Sequence, residues 1–175
     1  MVEGKLLSFD PKAHIDEFVK IYIEWGTWFS EGHIEHNQFD PFSIMETNVT
    51  EWVNNNLEPY ISLRLPKGTL QVIEVDGELA GVGVMHKLSE STGEIKRMFV
   101  RPKFRGNGFG RLLLNKLLDL GRGVGCSRFL LDSPNYAFAA HNLYRSSGFV
   151  EVEEYPESEI PVDWRQYWIF MEKLE

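Results

Sequence analysis

The stretch RPKFRGNGFGRLLLNKLLDLG, residues 101 to 121, constrains the fold of this 175-residue chain more than any other. Gly106, Gly108 and Gly110 separate the strand-like run GEIKRMFV from an amphipathic run with Leu112, Leu113, Leu117 and Leu120 at helical spacing. A strand that enters a glycine-rich turn and opens a helix leaves several main-chain N–H groups without acceptors and aims them at one point. Glycine allows left-handed dihedrals and close approach there, and Arg105 and Arg111 can add charge-assisted hydrogen bonds. A phosphate fits such a turn.

The charge distribution agrees. Seven bases (Lys96, Arg97, Arg101, Lys103, Arg105, Arg111 and Lys116) and no acid lie between Ile95 and Leu118, which leaves 11 bases against 26 acids elsewhere. Such segregation is the footprint of an anionic ligand at one site, or otherwise a solvated basic face. The net charge of −8 disfavours nucleic acid and anionic membranes as partners. GNGFG is not a Walker loop, because no Gly-Lys-Ser/Thr follows, and it does not follow the first strand of a βαβ unit as a dinucleotide loop would.

Length and the absence of linkers or repeats predict one domain spanning residues 1–175. No apolar run is long enough for a membrane span, no secretory signal opens the chain, and a lone cysteine, Cys126, precludes an intrachain disulfide, so a cytoplasmic location is expected. KLLSF reads as a short strand. Asp10 and Pro11 begin a helix through DPKAHIDEFVKIYIEW, and a second helix is expected within residues 47 to 58. TLQVIEV and ELAGVGVMHKL form a hairpin about Asp76-Gly77, and GEIKRMFV adds a third antiparallel strand. After the loop and its helix come the strand SRFLLDS, the helix NYAFAAHNLYRSSG, and the strands FVEVEEY and RQYWIFMEKL. This order predicts a mixed α/β fold, a largely antiparallel twisted sheet of six to seven strands with helices on both faces.

The whole constellation resembles the GNAT family of acetyl-coenzyme A-dependent N-acetyltransferases. Arg105, Gly108 and Gly110, with Gly106, match its Arg/Gln-x-x-Gly-x-Gly/Ala signature, and Leu143, Tyr144, Gly148 and Phe149 match its Leu-Tyr-x-x-x-Gly-Phe signature. The resemblance covers roughly residues 69 to 174; the first 68 carry no comparable signature. It implies acetyl-CoA as co-substrate, no metal, and direct transfer of acetyl to a primary amine on a small molecule or a protein. The diphosphate would rest on the loop from Arg105 through Gly106, Asn107, Gly108, Phe109 and Gly110 to Arg111. The pantetheine arm would pair with Met98, Phe99 and Val100 in a splay between EIKRMFV and SRFLLDS. Dimers are common in the family, so a homodimer belongs to the same expectation. The alternative of another class is a noncatalytic acyl-CoA-binding or sensing module.

An amine must lose a proton to attack, the oxyanion needs N–H donors, and the departing thiolate needs a proton. Glu94, eleven residues before Arg105, stands at the spacing of a catalytic glutamate in some family members; its other reading is a strand glutamate paired with a nearby base, with Glu78 as a substitute. Tyr144 stands where the family places its general acid, or else is a core aromatic with a satisfied hydroxyl. The oxyanion donor is expected from the main chain of Phe99 or Val100. Ala137 stands where many relatives carry asparagine, which leaves Asn135 or Asn142 to take over that coenzyme contact. Trp25, Trp28 and Phe29 are core or, for Trp28 and Phe29, acceptor-pocket residues. Six acids between Glu151 and Asp163 form either a rim that draws cationic amines or a solvated loop. His33 and His36 lack a third ligand, so no metal is expected.

Overall fold

The computed structural model describes residues 2–175. Its sheet has seven strands in the order β1-β2-β3-β4-β5-β7-β6. They are β1 (Lys5–Ser8), β2 (Gly68–Val75), β3 (Glu78–Lys87), β4 (Thr92–Val100), β5 (Arg128–Pro134), β6 (Val150–Val152) and β7 (Trp168–Leu174). Every pairing is antiparallel except β4 with β5. The β2–β3 turn places Asp76 at φ 49° and Gly77 at φ 82°, the left-handed pair that an Asp-Gly hairpin favours.

Six helices flank the sheet: α1 (Pro11–Asn37), α2 (Pro41–Ile44), α3 (Val49–Asn55), α4 (Glu58–Ile61), α5 (Phe109–Gly123) and α6 (Phe138–Ser146). The Asp10 side chain caps α1 by accepting from Lys12 N–H, with Pro11 in the first turn. This helix runs well past Trp25, and the short α2 and α4 were not expected; the four-residue turns carry too few positions for a period to show.

Side-chain alternation divides the core into two layers. Leu70 and Val72 of β2 and Val82 and Val84 of β3 pack with Phe18, Ile21, Tyr22 and Trp25 of α1. Ile73 and Val75 face the other way, against Phe109 and Leu113 of α5. Helix α5 buries Phe109, Leu113, Leu114, Leu117, Leu118 and Gly121, whereas Leu112 is 41% exposed. The expected stripe through Leu112 and Leu120 is therefore turned: the helix begins at Phe109, whose ring enters the core and sets the phase.

Two irregularities open the sheet. Val82 pairs with Phe99 and Val84 with Lys96, so Arg97 and Met98 together face Gly83 in a β-bulge. A Cβ at Gly83 would meet Met98 Sδ at 2.6 Å and Leu117 Cδ1 at 2.9 Å, so glycine lets these two side chains close over the bulge. Strand β4 then pairs with β5 only from Thr92 to Glu94, against Arg128 to Leu130, and beyond that the two diverge. This is the splay expected between the two segments.

Candidate active site

The loop before α5 is where an anion cradle is expected. Gly106 and Gly108 adopt φ 80° and 81°, and a Cβ on either would meet nothing within 4 Å. Their conformation therefore demands glycine while the space in front stays open. No protein group among the described residues accepts from the amides of Gly106 through Arg111; the next, Leu112 N–H, donates to Gly108 O at 3.0 Å. Arg105 N–H is taken by Pro102 O at 3.2 Å, so the free series starts one residue later than expected. No side chain caps α5, which leaves its positive end for a ligand.

The loop borders a cleft of about 520 Å³. Met98, Phe99, Val100, Arg105, Gly106, Gly108, Phe109, Gly110 and Arg111 line it on one side, and α6 supplies Ala140, Leu143 and Tyr144 on the other. Arg101 N–H donates to Ala80 O, so alternation along the strand turns Val100 away from β3 and toward the splay. Arg105 Nε donates to Val100 O at 3.0 Å, and Arg111 Nη2 donates to Ser146 Oγ at 2.7 Å. Of the seven bases in the acid-free segment, only these two arginines line the cleft. Arg101 is buried within an ion cluster, 3.0 Å from Glu17, 2.9 Å from Glu24 and 2.8 Å from Glu78. Glu78, also bound to Lys103 at 2.7 Å, is thereby spent on structure.

A second cavity of about 180 Å³ continues beyond the splay. Trp28, Met98, Ala137, Ala140 and Tyr144 line both spaces, so Tyr144 marks their junction. Trp25 and Phe29 line the smaller one, with Trp52, Trp164 and Trp168; its charged members are Lys96, Arg97 and Asp132. Tyr144 is buried, and no protein group hydrogen-bonds its hydroxyl among the described residues. Burial, helped by the nearby Asp132 charge, holds its phenol above the ordinary tyrosine value, so it keeps its proton at neutral pH.

Glu94 lies behind this junction and lines neither cavity. It is 1% exposed, with Lys96 Nζ at 3.2 Å and the Tyr155 hydroxyl at 3.4 Å. Burial pushes its carboxyl up to about 7; Lys96 opposes the shift and Asp132 adds to it. Asp132, on β5 just past the last β4–β5 pair, does face the smaller cavity. It accepts from Ser158 Oγ at 3.1 Å and from the Tyr155 hydroxyl at 3.4 Å, and burial raises its carboxyl against the pull of Lys96. Tyr155 thus bridges two carboxylates, one internal and one in contact with the cavity.

The remaining expected residues sit outside both spaces. Asn107 accepts from Val2 N–H at 3.1 Å and donates to Phe104 O at 3.1 Å. Asn135 exchanges amide hydrogen bonds with Asn37 at 3.1 and 3.2 Å, which ties it to α1, and Asn142 points to solvent. His33 is buried among aromatic rings and His36 stacks on Tyr136. No cluster of three or more metal-ligating side chains occurs among the described residues, nor a helix long and apolar enough to cross a membrane. Sequence reasoning missed Asp132, Tyr155 and Phe138. Phe138 lines the cleft while 65% exposed, an apolar ring left in water at a site's mouth.

A splayed mixed sheet with an anion cradle at the head of its central helix defines the acyl-CoA N-acyltransferase class of fold. The sequence matches the family described as Acetyltransferase (GNAT) family over residues 21–149, and the chain belongs to that family. It is 35% identical over 99 residues to an IAA acetyltransferase of Azospirillum brasilense, which covers 56% of this chain and 65% of that protein. The chain spans less than two thirds of the length of the curated relatives it matches. Among solved structures, the PaiA N-acetyltransferase of Thermoplasma acidophilum in complex with coenzyme A superposes with a TM-score of 0.71 at 13% identity, covering 99% of this chain and all of that one. An acetyltransferase of Streptococcus agalactiae gives 0.69 at 18% identity, covering 98% of each. At these identities the structural likeness speaks for the fold.

Proposed function

We propose that the chain transfers acetyl from acetyl-CoA directly to a primary amine held in the smaller cavity. The observation that carries this reading is Tyr144: a protonated, unpartnered phenol at the junction of the anion cradle's cleft and a separate aromatic cavity. Bound acetyl-CoA supplies an activated thioester. The amides of Gly106 to Arg111, with Arg105 and Arg111, hold its diphosphate. The open edge of β4 at Met98 to Val100 aligns its arm, and the Val100 N–H, turned into the splay, is placed to donate to the developing oxyanion.

Asp132, backed by Tyr155 and Glu94, takes the proton the amine loses as the new C–N bond forms. Two carboxyls raised by burial, Glu94 also by the Asp132 charge, are suited to accept that proton. Tyr144 gives its proton to the sulfur as the C–S bond breaks, and regains one from solvent. No side chain is acylated along this route, because amine and thioester meet directly between the two cavities.

The test is a broad amine panel with acetyl-CoA, reading free thiol. Amine-dependent release supports transfer, whereas tight coenzyme A binding with no release for any amine identifies a noncatalytic acyl-CoA-binding module instead.

A further inference from the structure

The smaller cavity contains one guanidinium, that of Arg97, and among the described residues it makes no ion pair, although the charge of Asp132 acts on it from farther off. Arg97 occupies the left-handed bulge position of β4 at φ 53°, a conformation uncommon for any long side chain. Its Nε donates to the Tyr22 hydroxyl at 2.9 Å, and its guanidinium carbon stands 4.8 Å from the Trp25 ring centre and 5.3 Å from that of Tyr60. Among the described residues no carboxylate comes within 4.0 Å of it, and neither Nη1 nor Nη2 finds an acceptor. The sealed unsatisfied side-chain atoms are His33 Nε2, Gln71 Oε1 and His141 Nε2, so the terminal nitrogens of Arg97 are not sealed and open into the cavity they line. An arginine held by aromatic faces with its fork free is poised for a planar anion.

The other charges nearby narrow the choice. Lys96 is engaged by Glu94 at 3.2 Å and Glu159 at 2.5 Å. Asp132 lines the same cavity but is bound to Ser158 and Tyr155 rather than to Arg97. Among the described residues the cavity therefore offers one cation without an ion-pair partner and one carboxylate more than 4.0 Å from it. A dianionic phosphate would face Asp132 with only Arg97 to offset it. A polyamine would place a second ammonium against Arg97. The acidic segment gives it little in return, because Glu151, Glu154, Glu157 and Glu159 pair with Arg145, Arg165, Arg128 and Lys96.

Resting on the acetyltransferase reading above, we infer that the acceptor is an amine bearing a single carboxylate, a small amino acid-like zwitterion. Arg97 takes the carboxylate, and the amine lies toward Asp132 and Tyr144. All five tryptophans of the chain line the cavity, so the body between the two polar ends is apolar or aromatic. The volume of about 180 Å³ is below the roughly 300–1,000 Å³ of drug-sized ligand sites, which fits a free small molecule.

The experiment supplies each of several apolar amino acids as free acid, as amide and as decarboxylated amine with acetyl-CoA, and reads thiol release. In parallel, 3-phenylpropanoate is titrated against the coenzyme A-loaded protein by tryptophan fluorescence, a readout independent of turnover. The free acids are expected to exceed both analogues in kcat/KM on the order of 100-fold. Arg97→Met is expected to erase that preference and weaken 3-phenylpropanoate binding at least about tenfold, Arg97→Lys to retain part of both, with thermal unfolding confirming that each variant is folded. Carboxylate binding that depends on Arg97 without thiol release from any amine supports the carboxylate site while removing the acetyltransferase reading. Turnover of the amides or decarboxylated amines equal to that of the free acids, or a preference that survives in Arg97→Met, overturns the inference and leaves the transfer reaction standing.

Discussion

Replacing Gly108 by alanine separates the folding role of the cradle from its binding role. At φ 81° an alanine is left-handed, which costs about 1–2 kcal/mol. The stiffer unfolded chain returns roughly 0.4–1 kcal/mol of that. The new methyl meets no atom within 4 Å, so no steric term adds. The net, about 1 kcal/mol, lowers Tm by roughly 2–4 °C in a chain of this size. The methyl nevertheless enters the open space beside the six unpaired amides, and losing one hydrogen bond to a charged ligand costs about 1.5–3 kcal/mol, roughly 10- to 150-fold in Kd. Gly77, at φ 82° with nothing within 4 Å in the β2–β3 turn, is the matched control. Gly77→Ala should reproduce the fall in Tm and leave affinity for coenzyme A unchanged by calorimetric titration, whereas Gly108→Ala should lose both. Wild-type affinity in Gly108→Ala would refute the cradle.

Tyr144→Phe should lower kcat about 100-fold with the Kd for coenzyme A unchanged. Its Tm should stay within roughly 1 °C of wild type, since the hydroxyl has no protein partner to lose; undiminished kcat would remove the acid assignment. Glu94 links stability to pH. Because the folded chain raises its carboxyl from 4.5 to about 7, the contribution is full below about pH 4.5 and is lost as pH climbs to 7, up to about 3 kcal/mol. Glu94→Gln should therefore gain on wild type across that window in urea unfolding, and parallel curves would contradict the burial argument. Arg101→Met leaves three partly exposed carboxylates without their common cation, so its cost should fall below the 3–5 kcal/mol of a fully buried pair, at about 2–3 kcal/mol. Activity per folded molecule should be retained, because Arg101 lines neither cavity.

The fold was legible where its signals are local. Asp10-Pro11 starts α1, Asp76-Gly77 turns the β2–β3 hairpin, and the alternation of Leu70, Val72, Ile73 and Val75 divides between two helix layers in a way a period of two announces. The phase of α5 was less so. Leu112 and Leu113 are both leucine, and only the position of Phe109 against Ile73 and Val75 decides which faces the sheet. The β4 bulge left no trace either, since the glycine that admits it, Gly83, sits on the neighbouring strand.

The same distinction divides the site. The cradle is built from main-chain amides of consecutive residues, so glycine spacing and a helix start disclose it. The smaller cavity is built from side chains of α1, α3, α6, β4, β5 and the turn before β7, and no short window contains it. Asp132 reads in sequence as one acid near the end of an apolar strand; it reaches the smaller cavity only because β4 and β5 part beside it. The acid-free run of seven bases merged several destinations. Arg105 and Arg111 line the larger cleft, Arg101 and Lys96 are paired with glutamates, and Arg97 is turned by a single left-handed dihedral into the other cavity. Charge clustered along a sequence thus merges bases that the bulges and splays of the backbone send to different partners and cavities.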